Sequence, residues 1–275
     1  MNNEYAIEAN QAIHDAMKTG EYALLAPHLC HQSIRSLYIK LVEYVFNAAA
    51  SHSSPPRALD LGAGDGTATV PFLERGAKVL AVDISEKQLE QLREKCEKYG
   101  ALLETRKEEM SVVLSEGKKF DIIVMNSVLH HIPDYMGLLK LVSLSLSENG
   151  VFMSFQDPKW SPSISFKDAV LSNAAYFMWR VRRGEVLAGL WRRIRRMAGV
   201  YSDDSLYDNS EYHAVRDGVN QLEIRDQFVK AGLDCRIIEY CSFHSVLLQP
   251  IGERLKVRNT FAILTGRKLT PFLFD

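Results

Sequence analysis

Three glycines at alternate positions, directly after an apolar run, constrain the fold of this chain more than any other feature. Residues 57–61 are typical of a short buried strand; Gly62, Gly64 and Gly66 come next, and a helical pattern covers residues 67–75. In open α/β sheets the ligand binds outside the carboxyl ends of the strands, where glycines let the backbone approach it. The N–H groups at the start of the helix suit an anion. The run therefore predicts a ligand-binding turn, and the alternative is a tight turn without a ligand.

Strand-like and helix-like runs continue to alternate along the chain. We predict further strands over residues 78–82, 102–105, 120–125, 150–155, 234–240 and 260–266, with helices over residues 85–99, 135–146 and 221–231. Strands that alternate with helices at this spacing form a parallel sheet that is covered on both faces. The sequence therefore predicts an α/β fold.

We predict one domain over residues 1–275, made of four regions. Residues 1–50 form an N-terminal helical cap, because apolar residues between Ile34 and Phe46 recur every three or four positions. A segment rich in serine and proline then ends the helical pattern before residue 57. Residues 57–158 form the ligand-binding core and residues 217–275 its C-terminal part. Residues 159–216 show no strand pattern, so we predict a helical insertion there.

Composition excludes several classes of protein. Lysines and arginines number 33 and acidic residues 34, so the net charge of −1 gives no general attraction to nucleic acid. The N-terminus lacks the basic start and apolar run of a signal peptide, and no stretch is apolar enough to predict a transmembrane helix. The four cysteines are far apart, without a CxxC pair. We therefore expect a cytoplasmic protein without disulfides or a metal site.

A second acidic residue supports a nucleotide ligand. Asp83 follows the next predicted strand, seventeen positions after Gly66. Nucleotide-binding α/β folds place a carboxylate there on the ribose hydroxyls, because an ionised carboxylate accepts hydrogen bonds from two hydroxyls at once. The alternative is that Asp83 caps the following helix, although Ser85 is also available for that cap.

The glycine run resembles motif I of the class I S-adenosylmethionine-dependent methyltransferases. Its spacing is GxGxG rather than the GxGxxG of dinucleotide-binding proteins, and Asp60 stands two positions before the first glycine. The resemblance covers residues 57–267 and implies a Rossmann-like, seven-stranded, mostly parallel sheet. It also implies a helical lid from the N-terminus and from the insertion after the fifth strand. The cofactor-binding residues that it implies are Asp60, Gly62, Ala63, Gly64, Gly66, Asp83, Ile84, Glu108, Glu109, Met110 and Asn126, with the choice between the two glutamates open.

The segment after the fourth predicted strand is similar to that of small-molecule methyltransferases. Asn126 is followed by the sequence VLHHIPD, residues 128–134. The resemblance implies that Asn126 lies beside the methionine part of the cofactor and makes His130 and His131 candidate catalytic bases. The alternative is that these histidines brace the loop. Without a third ligand nearby, the pair predicts no metal site. The candidate acceptor-binding residues are Tyr22, His28, Leu129, Gln156 and Asp157.

The resemblance implies transfer of a methyl group from S-adenosylmethionine to an O or N atom of a small organic acceptor, with S-adenosylhomocysteine as the product. Such a reaction depends mainly on holding the two reactants in line, which can contribute about 7–11 kcal/mol. A base is needed only where the acceptor must lose a proton. Two alternatives stay open: a nicotinamide-dependent oxidoreductase, which the glycine spacing opposes, and a noncatalytic S-adenosylmethionine-binding protein.

The insertion contains an arginine-dense stretch with apolar residues at helical spacing between the charges. Its seven arginines are Arg180, Arg182, Arg183, Arg192, Arg193, Arg195 and Arg196. One interpretation is a solvated charged face over a packed apolar face. The other is a surface for an anionic acceptor, a carrier protein or an acidic membrane surface, since arginine binds carboxylate and phosphate groups in a planar, bidentate way.

Charge reversal in this stretch separates the two interpretations. If the arginines recognise an anionic acceptor, Arg192→Glu with Arg195→Glu should raise the KM for the acceptor and leave the affinity for the cofactor unchanged. The effect should shrink as salt is added, because charges are screened beyond about 8–10 Å at moderate ionic strength. Steady-state kinetics at two salt concentrations measure this. Kinetics that respond neither to the substitutions nor to salt would contradict acceptor recognition.

Overall fold

The computed structural model describes residues 9–12, 26–183, 212–214 and 216–269. Tyr22 and four arginines of the arginine-dense stretch, Arg192, Arg193, Arg195 and Arg196, lie outside the described residues. Within this part of the chain, one sheet of seven strands has the order β3-β2-β1-β4-β5-β7-β6. The strands are β1 Arg57–Leu61, β2 Lys78–Asp83, β3 Leu103–Lys107, β4 Phe120–Asn126, β5 Leu146–Pro158, β6 Asp234–Tyr240 and β7 Thr260–Gly266.

The sheet is mostly parallel, as predicted. Strands β1 to β5 pair in parallel, and β7 runs antiparallel between β5 and β6. Every residue of β7 is buried, and so are all but one in β4. Strands that are covered on both faces read as continuous apolar runs rather than as alternating patterns. This is why the central strands could be located from the sequence.

Helices cover both faces of the sheet. One face is packed by α2 Gln32–Ala50, α3 Thr69–Glu74 and α4 Glu86–Cys96, and the other by α5 Met110–Ser115, α6 Tyr135–Ser145 and α8 Gln221–Lys230. The short helix α1 Pro27–Cys30 precedes α2, α7 Phe166–Arg183 opens the insertion, and α9 Gln249–Arg254 precedes β7. The sequence patterns missed α5 and α9, since each has only six residues and therefore shows little helical periodicity.

Residues 26–50, the longer described part of the N-terminal region, differ from the predicted lid. Helix α2 buries Ile34, Leu41 and Val45 against the sheet, so it is part of the core and does not cover the sheet edge. Its beginning is tied to the C-terminal part of the chain, because the His31 side chain contacts the Phe243 carbonyl oxygen at 2.6 Å. Nearly complete burial of one face explains the difference: an amphipathic helix next to an apolar sheet packs on that sheet.

Candidate active site

A cavity of about 470 Å³ lies at the carboxyl ends of β1, β2 and β4. This volume is in the range of small-molecule binding sites. The glycine turn after β1 forms one wall, and the segment after β4 forms another. Of the residues predicted to bind the cofactor, all except Gly66 and Glu108 line it: Asp60, Gly62, Ala63, Gly64, Asp83, Ile84, Glu109, Met110 and Asn126.

Glycine is required at two positions of the turn for different physical reasons. Gly64 has a φ of +51°, and a Cβ atom built on it meets no atom within 4 Å, so the missing side chain leaves open space in the cavity. Gly66 has a φ of +93°, and a Cβ there would overlap the Leu92 side chain of α4. Gly64 therefore leaves room for a ligand beside the backbone, whereas Gly66 lets the turn pack closely against a helix.

Asp83 connects the two turns that border the cavity. Its Oδ2 accepts a hydrogen bond from the Gly64 amide at 2.8 Å, and its Oδ1 accepts one from the Ser85 amide at 2.9 Å. Each carboxylate oxygen retains a second acceptor site, so the side chain can still bind ribose hydroxyls. Ser85 caps α4 by accepting a hydrogen bond from the Gln88 amide. Nothing in the sequence pattern indicated the bond from Gly64.

Two buried oxygens on the cavity wall lack hydrogen-bond partners among the described residues: Oδ1 of Asp60 and Oδ1 of Asn126. The other Asp60 oxygen accepts a hydrogen bond from the Thr69 hydroxyl at 2.6 Å. Buried polar atoms in native proteins nearly always have a partner. A ligand group with several N–H donors, such as an ammonium group, is the kind of partner that such oxygens accept from. Thr69 was missed in the sequence, although its position at the start of a helix after the glycine turn could have indicated it.

Burial raises the pKa of Asp60 to about 7. The hydrogen bond from Thr69 lowers this pKa and the negative charge of Asp83 raises it, each to a smaller extent. Because the carboxyl group is only partly ionised near neutral pH, a cationic ligand that binds beside it must favour the ionised form.

The position of the two glutamates after β3 distinguishes them. Glu109 lines the cavity, whereas Glu108 lies outside it. A carboxylate oxygen of Glu108 is 3.7 Å from the Arg106 guanidinium, and the other accepts a hydrogen bond from the Glu109 amide at 3.1 Å. Glu109, together with the apolar side chains of Ile84 and Met110, therefore borders the end of the cavity near β2 and β3.

The first histidine of the pair, His130, is held by a buried carboxylate. His130 Nδ1 lies 2.9 Å from Oδ1 of Asp157, and the His130 backbone amide donates to the same oxygen at 3.2 Å. Asp157 is fully buried, and its Oδ2 has no hydrogen-bond partner among the described residues. The His131 ring, whose centroid is 4.0 Å from that of His130, lines the cavity.

An irregularity in β5 brings Asp157 to this position. The pairing of β5 with β7 shifts between Phe155 and Asp157, and Gln156 between them has a left-handed φ of +68°. Its amide donates a hydrogen bond to the Tyr240 hydroxyl at 3.0 Å, and its side-chain amide donates one to Ser242 at 2.7 Å. Bulges of this kind re-aim side chains next to functional sites. No sequence pattern indicated this bulge.

The predicted acceptor-binding residues that the structure describes, which excludes Tyr22, do not line this cavity. Leu129 and Asp157 are fully buried beside it, and Gln156 belongs to the bulge. His28 is fully buried, and its Nε2 lies 3.2 Å from the side-chain nitrogen of Asn126. Within the described part of the chain, no cluster of three or more metal-ligating side chains occurs. No helix in this part is both long and apolar enough to cross a bilayer.

Comparisons with known proteins agree with this geometry. Residues 59–152 match the family model described as a methyltransferase domain. A ubiquinone biosynthesis O-methyltransferase from Methylocella silvestris is 26% identical over 137 residues, which are 50% of this chain and 51% of that protein. An uncharacterized protein from Haemophilus influenzae is 36% identical over 107 residues, which are 37% of this chain and 42% of that protein. The chain thus spans about half the length of the curated relatives it matches, or less.

A solved structure extends the likeness to the whole fold. The magnesium protoporphyrin IX methyltransferase of Synechocystis, solved with S-adenosylmethionine bound, has a TM-score of 0.52 and 14% identity over 94% of this chain and 97% of its own. Residues 59–152 thus form a methyltransferase domain. The cofactor of such domains is S-adenosylmethionine, and the cavity wall fits it: space beside Gly64, a carboxylate for ribose, and two unsatisfied oxygens for an ammonium group.

The raised pKa of Asp60 predicts that cofactor binding depends on pH. Only the ionised carboxylate attracts the ammonium group of S-adenosylhomocysteine, so affinity should rise about tenfold between pH 6 and pH 8 as a group with a pKa near 7 loses its proton. Calorimetric titration at both pH values measures this. Asp60→Asn should bind more weakly and with little pH dependence. An equal pH dependence in this variant would assign the titration to another group.

Proposed function

We propose that this protein is an S-adenosylmethionine-dependent methyltransferase that acts on an O or N atom of a small organic acceptor and releases S-adenosylhomocysteine. The observation that carries the proposal is the common location of three features on one cavity. These are the glycine turn, the Asp83 carboxylate and the unsatisfied oxygens of Asp60 and Asn126. Each feature suits a different part of the same ligand.

The residues of the cavity bind and orient the cofactor in this proposal. Asp83 accepts the ribose hydroxyls while it holds the Gly64 amide. Asp60 and Asn126 accept hydrogen bonds from the ammonium group, and Ile84 and Met110 pack beside the adenine ring, near Glu109. When bound, the cofactor supplies a methyl group on a positively charged sulfur. The chain then has to orient the acceptor behind that methyl group and exclude water.

We propose His130 as the base for a hydroxyl acceptor, with Asp157 as its orienting group. A proton on Nδ1 that is donated to the buried carboxylate leaves the basic lone pair on Nε2, the arrangement that active-site His–Asp pairs use. His131, on the cavity wall, is the second candidate. An amine acceptor that already has a lone pair would not need either base.

We propose that the reaction takes place in the cytoplasm. We also propose that the acceptor is a small molecule with anionic groups and not a nucleic acid. The near-zero net charge of the chain and its arginine-dense insertion support this combination. The name of the Methylocella relative, an O-methyltransferase, supports oxygen as the atom that is methylated. Contact of the arginines with an acidic membrane surface is the alternative use of the same charges.

Binding of two nucleoside ligands tests the cofactor assignment. The wild-type protein should bind S-adenosylhomocysteine and 5′-methylthioadenosine, which share the adenosine but differ in the amino-acid end, and should not bind NADH. Asp83→Ala should weaken both by about 30- to 1,000-fold, which corresponds to about 2–4 kcal/mol for two charge-assisted hydrogen bonds. Calorimetry measures the affinities. Unchanged affinity in Asp83→Ala, or tight binding of NADH, would contradict the assignment.

Formation of S-adenosylhomocysteine with a panel of small phenols, carboxylic acids and amines tests the reaction itself. With a hydroxyl acceptor that is turned over, His130→Ala and Asp157→Asn should each lower kcat by about 10²- to 10⁴-fold and leave cofactor affinity within about twofold. A comparable loss in His131→Ala alone would assign the base to that residue. Full activity in all three variants would leave the histidines as bracing residues. Cofactor binding without turnover of any acceptor would favour a noncatalytic binding protein.

A further inference from the structure

His28 is a buried histidine that touches the cavity only through another residue. It lies in helix α1, is fully buried, and does not line the cavity. Its ring packs edge-on against Phe155 of β5, with ring centroids 6.2 Å apart, and lies 6.3 Å from the ring of Tyr38. Both aromatic residues belong to the core of the sheet. The imidazole is therefore fixed in place by packing.

The hydrogen bond between His28 and Asn126 has a defined direction. The side-chain nitrogen of Asn126 can only donate, so Nε2 of His28, at 3.2 Å, must accept. An imidazole accepts at Nε2 only when it is neutral and carries its proton on Nδ1. Burial lowers the pKa of His28 to about 4, which keeps the ring uncharged at physiological pH and so leaves one ring nitrogen able to accept.

This direction determines what Asn126 presents to the ligand. With its amide nitrogen engaged by His28, its Oδ1 is the buried atom without a hydrogen-bond partner among the described residues. An amide rotated by 180° would instead turn two N–H donors toward the ligand, which would repel an ammonium group. In the orientation seen here, the Asn126 nitrogen donates to His28 and the Asn126 oxygen is left for the ligand.

We infer that His28 is a positioning residue, which fixes the Asn126 amide so that its oxygen and that of Asp60 together accept the ammonium group of the cofactor. The inference rests on the proposed function. It assigns to helix α1 an indirect part in recognising the amino-acid end of the ligand. It also predicts that removing the acceptor atom at Nε2 affects that end and leaves recognition of the adenosine end unchanged.

Two amide substitutions of different reach test this inference. In His28→Gln, the longer amide can place its oxygen near the position of Nε2 and accept from Asn126. In His28→Asn, the shorter amide cannot reach it. We expect His28→Asn to lower the affinity for S-adenosylhomocysteine about tenfold and to change that for 5′-methylthioadenosine less than about twofold. His28→Gln should retain the affinity for S-adenosylhomocysteine within about threefold.

His31, three residues after His28 in the chain, provides a matched control. It is buried, its Nε2 contacts the Phe243 carbonyl oxygen at 2.6 Å, and it lies away from the cavity wall. His31→Asn should leave the affinities for both ligands unchanged. Equal weakening of both ligands by His28→Asn, or the same ligand difference in His31→Asn, would overturn the inference and indicate a general structural effect.

A double-mutant cycle keeps the test decisive if a His28 variant is unstable. Asn126→Ala should weaken S-adenosylhomocysteine and spare 5′-methylthioadenosine, and adding His28→Asn should produce no further loss, because the two residues act through one contact. Additive losses would contradict the inference. A wild-type protein that binds neither ligand would overturn the proposed function as well, whereas a failure confined to the His28 variants overturns only the positioning role.

Discussion

The Asp83 carboxylate holds together the two turns on which the cavity depends. Its oxygens accept hydrogen bonds from backbone amides after β1 and after β2, and these segments are adjacent only because their strands pair in the sheet. Hydrogen bonds from backbone amides to an ionised carboxylate are stronger than those between neutral groups. The side chain at the end of one strand therefore stabilises the turn that follows its neighbour, and the carboxylate is in place before any ligand binds.

Other polar groups on the cavity wall are less satisfied. Oδ1 of Asp60 and Oδ1 of Asn126 have been removed from water, and no hydrogen bond to the described residues replaces their lost hydration. An unsatisfied buried polar atom costs about 1–3 kcal/mol. This cost is borne by the ligand-free protein and is recovered when a donor arrives, so these atoms favour binding of a group with N–H donors over a hydrocarbon of the same size.

The sequence predicts the features that depend on local pattern and misses those that depend on contacts between distant segments. Buried strands read as apolar runs, and the GxGxG spacing is a local backbone requirement, so the sheet and the glycine turn could be predicted. The separation of Glu108 from Glu109 could not, because it depends on the direction of β3 and on Arg106. The bulge at Gln156 depends on pairing with β7 and on Tyr240, and both lie more than 80 positions away.

Helix α2 is another case in which a local pattern does not predict a contact between distant segments. Its helical periodicity was correct, but periodicity identifies an apolar face without identifying the surface that covers it. Helix α2 packs on the sheet, while the short helix before it reaches the back of the cavity wall through His28. A prediction of one lid over the whole N-terminal region therefore merged a core helix with a segment that borders the site.

The position of β7 has a consequence for how the chain folds during synthesis. Strand β5 ends at Pro158, and its antiparallel neighbour β7 begins at Thr260, roughly a hundred residues later in the order of translation. Until β7 has left the ribosome, β5 is an edge strand with unpaired backbone groups and apolar side chains on both faces. Such edges pair readily with other chains. The nascent polypeptide thus leaves this edge of β5 unpaired until residues 159–259 have been made and β7, the last strand of the described sheet, can pair with it.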